Sequence, residues 1–310
     1  MIEGEKHMAN VLVAGATGML GSRIAHRLLE ESSVGETGQL GLLVRNEALA
    51  HPAKHRTIDA LVDKGAVVVP GDLQDEAALA DAVAGMEVVV SAVQGGSDVI
   101  VDGQVKLARA AERGGVRRFV PSDFAIDIFR ALPGAPMFAA RRRADQIIDG
   151  LDLEVFHILT GGFLDMMVAP GNRGLVNVDR STVTCWGTGT EPFNATTVDD
   201  TARLTARLVL DATATPGVHM FAAAETSPEQ IAEEISLALG RTFSLDKRGT
   251  LDELRDAISR EHDEGAAIGL WYQLVLATTP TFAASENHRY PDIKLTSLRE
   301  QVRKAFAETA

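Results

Sequence analysis

Cysteine occurs once in the 310 residues, as Cys185, so no disulfide can form within the chain and a reducing compartment suits it. Basic charge is in deficit: 30 Lys and Arg face 43 Asp and Glu, a formal net charge of −13. A nucleic-acid binder would want a basic footprint, so that class is disfavoured. The local basic clusters, Arg117–Arg118 and Arg141–Arg143, read as a helix–strand junction and a helix face. A long apolar run is also lacking. The longest mostly apolar stretch, residues 155–170, is interrupted by His157, Asp165 and glycines, which excludes a membrane span. Residues 1–7 are polar and carry Glu3 and Glu5, unlike a signal peptide, and Met8 reads as a natural start; a cytoplasmic protein is expected.

What is present is core material: 45% of residues are hydrophobic. Short β-rich runs at 11–14, 40–44, 66–69, 87–92 and 118–120 alternate with helical patterns at 20–31, 57–64, 75–84 and 99–113. A helix at 136–149 and a strand at 153–159 add a sixth unit. Such alternation predicts an α/β fold, a doubly wound parallel sheet with helices on both faces. After Gly161 the rhythm changes. Further helices are expected at 200–210, 227–239, 251–259, 266–277 and 295–306, with a strand at 182–186. The predicted organisation is a nucleotide-binding domain over 8–159 and a smaller, mostly helical lobe over 160–310, partly returning to the first sheet.

The strongest motif is Gly15-Ala16-Thr17-Gly18-Met19-Leu20-Gly21, which follows the first strand and opens the first helix. Gly15 permits a tight turn, Gly18 lets a pyrophosphate approach the backbone, and Gly21 lets helix and strand pack closely. The free N–H groups of the helix start then face the phosphates. This context predicts a Rossmann-type dinucleotide site. The second strand ends in Arg45-Asn46, where an NAD site would carry an acid for the ribose 2′-hydroxyl. A guanidinium there suits a 2′-phosphate, so NADP(H) is the expected coenzyme. Asp72 is expected at the adenine rim, and Ser91, Ala92, Val93 and Gln94 beside ribose and pyrophosphate, because ligands lie at the carboxyl ends of such strands.

The glycine motif, Leu43-Val44-Arg45, Gly71-Asp72-Leu73 and the run Arg118-Phe119-Val120-Pro121-Ser122-Asp123-Phe124 together resemble the NmrA-like atypical short-chain dehydrogenases. Within that group they resemble most the isoflavone reductase branch, which includes pinoresinol–lariciresinol, phenylcoumaran benzylic ether and eugenol-forming reductases. Trp186-Gly187-Thr188-Gly189 and Thr196 to Asp200 extend the resemblance, which covers roughly residues 9–211. It implies NADPH-dependent reduction of small aromatic, phenylpropanoid- or lignan-type substrates, with Pro121 and Ser122 at the coenzyme. It also implies a catalytic lysine on the helix after the Pro-Ser-Asp-Phe loop, and residues 137–148 contain none. Aligning Ile148 with the family's isoleucine puts Arg141 at that position; aligning Gly150 puts Ala139 there. Arginine stabilises an oxyanion but does not shuttle protons. The Tyr-x-x-x-Lys pair of other short-chain dehydrogenases is absent too, the tyrosines being Tyr272 and Tyr290.

Arg141, His157 and Ser122 are therefore the catalytic candidates. His157, at the end of the sixth strand, is a substitute acid or a hydrogen-bonded core histidine. Asp123, Phe124, Phe163, Met166 and Met167 are candidates for the substrate pocket, with a core stripe as the competing reading of the two methionines. His51 and His55 are four apart but lack a third ligand nearby, so no metal is expected. Two functions fit: a reductase of an aromatic alcohol, ether or ketone, and an NADP(H)-binding redox sensor that catalyses nothing. The expected partner is a small aromatic molecule, with no nucleic acid and no membrane; a homodimer is compatible with this reading.

Overall fold

The structure is a computed structural model and describes residues 9–33, 37–170 and 175–307; the expected start at Met8 lies outside them. The first half runs β1 (Ala9–Ala14), α1 (Met19–Ser33), β2 (Thr37–Val44), α2 (Asn46–Ala50), α3 (Pro52–Val62), β3 (Val67–Pro70), α4 (Glu76–Ala82), β4 (Val88–Ser91), α5 (Gln104–Arg113), β5 (Arg118–Val120), α6 (Pro136–Ile148) and β6 (Glu154–Leu159). The remainder runs β7 (Gly162–Phe163), α7 (Leu164–Met167), β8 (Val176–Asn177), β9 (Thr182–Cys185), β10 (Phe193–Thr196), α8 (Val198–Leu210), β11 (Gly217–Met220), β12 (Ala224–Thr226), α9 (Pro228–Leu239), β13 (Ser244–Lys247), α10 (Leu251–Arg260), α11 (Glu264–Thr278) and α12 (Leu298–Ala305).

The chain divides into two compact units, each drawn from three segments: residues 1–123, 140–158 and 201–219, and residues 124–139, 159–200 and 220–310. The first unit carries a seven-stranded sheet in the order β3-β2-β1-β4-β5-β6-β11. The pairs from β3 through β6 are all parallel, with Val11 opposite Leu40 on one side and opposite Val88 on the other. The order reverses between β1 and β4, the switch point where an open α/β sheet leaves a crevice at its strand ends. The fold is Rossmann-like, a sheet flanked by helices.

Its strands read as near-continuous Val and Leu because both faces are covered. Leu79 and Ala82 of α4, Val105, Leu107, Ala108, Ala110 and Ala111 of α5 and Ala144 and Ile148 of α6 pack with Leu12, Leu43, Val89 and Phe119 of the sheet in one cluster. Arg118 is fully buried in β5. Its Nη1 donates to the carbonyls of Leu208, Val209 and Asp211 at 3.0, 2.7 and 3.1 Å, and its guanidinium lies 4.2 Å from the Phe156 ring. The cluster expected to decorate a junction thus includes a cation that satisfies the orphan carbonyls at the end of α8, where a positive charge is favoured.

Two differences from the sequence reading bear on the first sheet. The expected helix 99–113 begins as a π-helical turn, Asp98–Gly103, before α5. Such turns are rare and concentrate at functional sites. The seventh strand, β11, was hidden in Gly217-Val218-His219-Met220, too short and too mixed to show a strand period.

The second unit combines helices with two three-stranded sheets, β12-β10-β7 and β13-β9-β8. The expected N-caps hold there. Ser227 accepts from the Gln230 N–H at the start of α9, which stops at a left-handed Gly240. Thr197 and Asp200 bond reciprocally at the start of α8, with Thr197 Oγ1 donating to Asp200 Oδ2 at 2.8 Å and accepting from Asp200 N at 3.1 Å.

Candidate active site

The glycine loop lies at the carboxyl end of β1. Gly15 has φ +82°, and a Cβ there would overlap the Ala92 backbone, so β1 and β4 approach at a point only glycine fits. A Cβ on Gly21 would overlap the Gly15 carbonyl, so α1 begins in contact with the loop. A Cβ on Gly18 would meet one atom, the Gly15 oxygen at 3.2 Å, and that residue is exposed. Thr17 is half-buried, Met19 is 46% exposed and Leu20 is buried. The loop therefore presents bare backbone at Gly18 and the first turn of α1, the cradle a pyrophosphate requires.

Arg45 is exposed at the end of β2 and precedes α2 as its N-cap. Asp72, after β3, is half-buried and accepts from the Gln74 N–H at 2.8 Å. Ala92 and Val93 are half-buried after β4, and Gln94 is exposed. Ser91 is fully buried, and its hydroxyl donates to Gln104 Oε1 at 2.7 Å, so the side chain faces into the fold. Gln104 is fully buried as well, and the same oxygen accepts from the Ser122 N–H at 2.9 Å. Ser122 Oγ donates to the Val93 carbonyl at 2.7 Å. Gln104 and Ser122 thus tie the ends of β4 and β5 together, with buried Pro121 between β5 and Ser122. Sequence reasoning missed Gln104, a polar residue on the buried face of α5 with Leu107, Ala108 and Ala111.

Arg141 is half-buried, and its Nε donates to the Ser122 carbonyl at 2.8 Å. His157 is 3% exposed in β6. Its Nδ1 lies 2.8 Å from Asp123 Oδ2 and its Nε2 2.9 Å from Asp149 Oδ1. Asp123 is completely buried, whereas the Asp149 side chain is half exposed. Asp145 of α6 completes the group and is 1% exposed. Burial alone would lower the imidazole pKa. The hydrogen bond to Asp123 and its charge, the field of Asp145 and the bond to Asp149 outweigh it, and His157 is raised to about 9. Burial and the neighbouring Asp123 charge push Asp145 far above the usual carboxylate range. The histidine is accordingly a cation held between carboxylates at neutral pH.

Phe124, Phe163, Met166 and Met167 all belong to the second unit. Phe124 is buried, Phe163 is half-buried and Met166 is 52% exposed. Met167 packs into a core cluster with Leu164, Val168 and Phe193, the stripe that competes with a pocket role. His51 stands at the N-cap position of α3 without a side-chain capping bond, and His55 pairs with Asp59 at 3.3 Å on its surface.

Residues 7–272 match the model of the NmrA-like family. The chain belongs to the NmrA-like family. The isoflavone reductase homolog P3 of Arabidopsis thaliana is 25% identical over 311 residues, which cover 94% of this chain and 96% of the relative. The isoflavone reductase homolog IRL of Zea mays is 36% identical over 126 residues, 39% of this chain and 37% of the relative. Among solved structures, "AtPrR2 with NADP+ and (+)pinoresinol" superposes with a TM-score of 0.82 at 22% identity, over 96% of this chain and 99% of the other. The leucoanthocyanidin reductase–NADPH binary complex from Vitis vinifera gives the same score, identity and coverage. These structures share the fold of this NmrA-like chain. Among the described residues, no helix is long and apolar enough to cross a membrane.

Proposed function

We propose that the protein is an NADPH-dependent reductase of a small aromatic substrate of phenylpropanoid or lignan type, acting by direct hydride transfer. The observation that carries this reading is the cradle at the end of β1: bare backbone at Gly18 on a helix start, with Arg45 exposed at the end of the neighbouring β2. Gly15 to Gly21 would hold the pyrophosphate and Arg45 the 2′-phosphate, with Asp72 and residues 91–94 around adenosine and ribose. The relatives' names add support, since the structural neighbours were solved with NADP+ and pinoresinol or with NADPH.

When bound, the coenzyme supplies the hydride. The chain supplies position and charge. Ser122 is fixed by Gln104 and Val93, and Arg141 is anchored on the Ser122 carbonyl, so its guanidinium stands at a set place. We assign His157 to the scaffold, because carboxylates occupy both ring nitrogens. A substrate whose cationic form is already stabilised, such as a quinone methide, needs little acid catalysis, which accommodates the missing lysine. Phe124 and Phe163 are the aromatic candidates for the substrate lobe.

That missing lysine also favours a second reading, a coenzyme-binding redox sensor. One assay separates the two: NADPH oxidation followed at its absorbance band across a panel of aromatic ethers, alcohols, ketones and quinone methides. The reductase turns over at least one class. The sensor binds NADPH and NADP+ and turns over none.

A further inference from the structure

The sequence spacing predicts no metal, yet the fold gathers three buried donors from three places: Asp123 after β5, Asp145 on α6 and His157 on β6. One ligand atom from each lies within 4.8 Å of the other two. All three residues are buried, at 0%, 1% and 3% exposure. Asp123 Oδ1 and both carboxylate oxygens of Asp145 have no hydrogen-bond partner. Buried polar atoms are nearly always satisfied, so three such oxygens around one imidazole mark a place built for something positive.

We propose that Asp123, Asp145 and His157 Nδ1 form a binding site for one divalent transition-metal ion, Zn2+ in the first instance. Two carboxylates and an imidazole are a mixed oxygen and nitrogen donor set of the kind Zn2+ accepts. Ligands at ~2.1 Å from a metal stand about 3–3.4 Å from one another, so the His157–Asp123 spacing of 2.8 Å opens slightly and Asp145 closes by side-chain rotation. The outer ring nitrogen already has its orienting group. Asp149 accepts from Nε2, the carboxylate–histidine–metal arrangement that fixes the ring and raises its basicity. Binding the ion would release the imidazolium proton of His157 and the proton of Asp145, after which two carboxylates and a neutral imidazole offset a dication. Asp123 follows Ser122, and Asp145 lies one helical turn beyond Arg141. The ion would therefore pin both positions from beneath, as a structural site rather than a reacting one.

The test uses the full chain, stripped with EDTA, gel-filtered, and given ZnCl2 in small excess. Bound metal is measured by mass spectrometry after a second gel filtration, and the melting temperature is measured alongside. The expected result is one equivalent of zinc and a rise of several degrees, as binding to the native state alone requires. Asp145→Asn should lose that equivalent, whereas the surface double variant His51→Ala/His55→Ala should keep it. Wild-type protein that retains no zinc, or Asp145→Asn protein that retains the full equivalent, overturns the site. Should Asp145→Asn fail to fold, Co2+ absorption spectra of the wild type decide. Visible bands of a nitrogen- and oxygen-ligated ion at one equivalent support the proposal, and a spectrum of aqueous Co2+ overturns it.

Discussion

At the scale of single residues, the coenzyme choice we propose rests on Arg45. It is exposed at the end of β2, where a 2′-phosphate would be held by a charge-assisted hydrogen bond. Arg45→Ala should weaken NADPH binding on the order of tenfold, ~1.4 kcal/mol, and leave NADH nearly unchanged. Isothermal titration with both coenzymes checks this; equal losses would contradict it. His157 carries a second expectation. Its folded pKa of about 9 lies above the unfolded 6.5, so the native state holds an extra proton between those values. That contribution is fully present below pH 6.5 and is lost as pH rises through 9. Asp145, also shifted upward, acts in the same direction. In EDTA the melting temperature should therefore fall between pH 6.5 and 9, and the slope should be shallower in His157→Gln. A melting temperature that rises over that range would refute the assignment of a buried imidazolium.

At the scale of elements, Gln104 at the start of α5 links the ends of β4 and β5 beside the candidate site. Gln104 is presented where it bonds Ser91 and Ser122 together, so Gln104→Leu keeps the volume and removes both links. In a turnover assay kcat should drop about tenfold or more, with a smaller change in KM, and Gln104→Glu should recover part of the loss through its acceptor oxygen. Unchanged kcat in Gln104→Leu would reduce this network to packing. The same elements show what was legible in the sequence. β1, β2 and β5, the glycine loop and the caps at Thr197 and Ser227 could be read because their signals are local: apolar runs, a motif in its strand–helix context, side chains three residues from the N–H groups they accept from. The role of Gln104 was not legible, since its partners Ser91 and Ser122 lie 13 and 18 positions away on other elements. Nor was the convergence of Asp123, Asp145 and His157, which are spaced by 22 and 12 positions and meet only through the packing of α6 beside β5 and β6. The ring of β6 was read as either an acid or a core histidine, and it lies between the carboxylates of Asp123 and Asp149, the contacts on which we propose a scaffold role.

At the scale of the whole molecule, a Rossmann-like unit carries every coenzyme candidate and all three catalytic candidates, and a second unit carries the aromatic residues proposed for substrate. The whole fold is shared with solved structures whose names differ in the aromatic substrate or reductase they give. Chemistry must then be argued from the site, because a shared fold fixes no reaction. The account stands or falls on whether hydride leaves the coenzyme for an aromatic carbon. The direct measurement is turnover with NADPH deuterated at nicotinamide C4, on whichever aromatic substrate the panel identifies, with the product read by mass spectrometry. The reductase reading predicts one deuterium per product molecule from one of the two C4 diastereomers and none from the other. Tight coenzyme binding with no turnover across the panel, or product formed without label from either diastereomer, would contradict it.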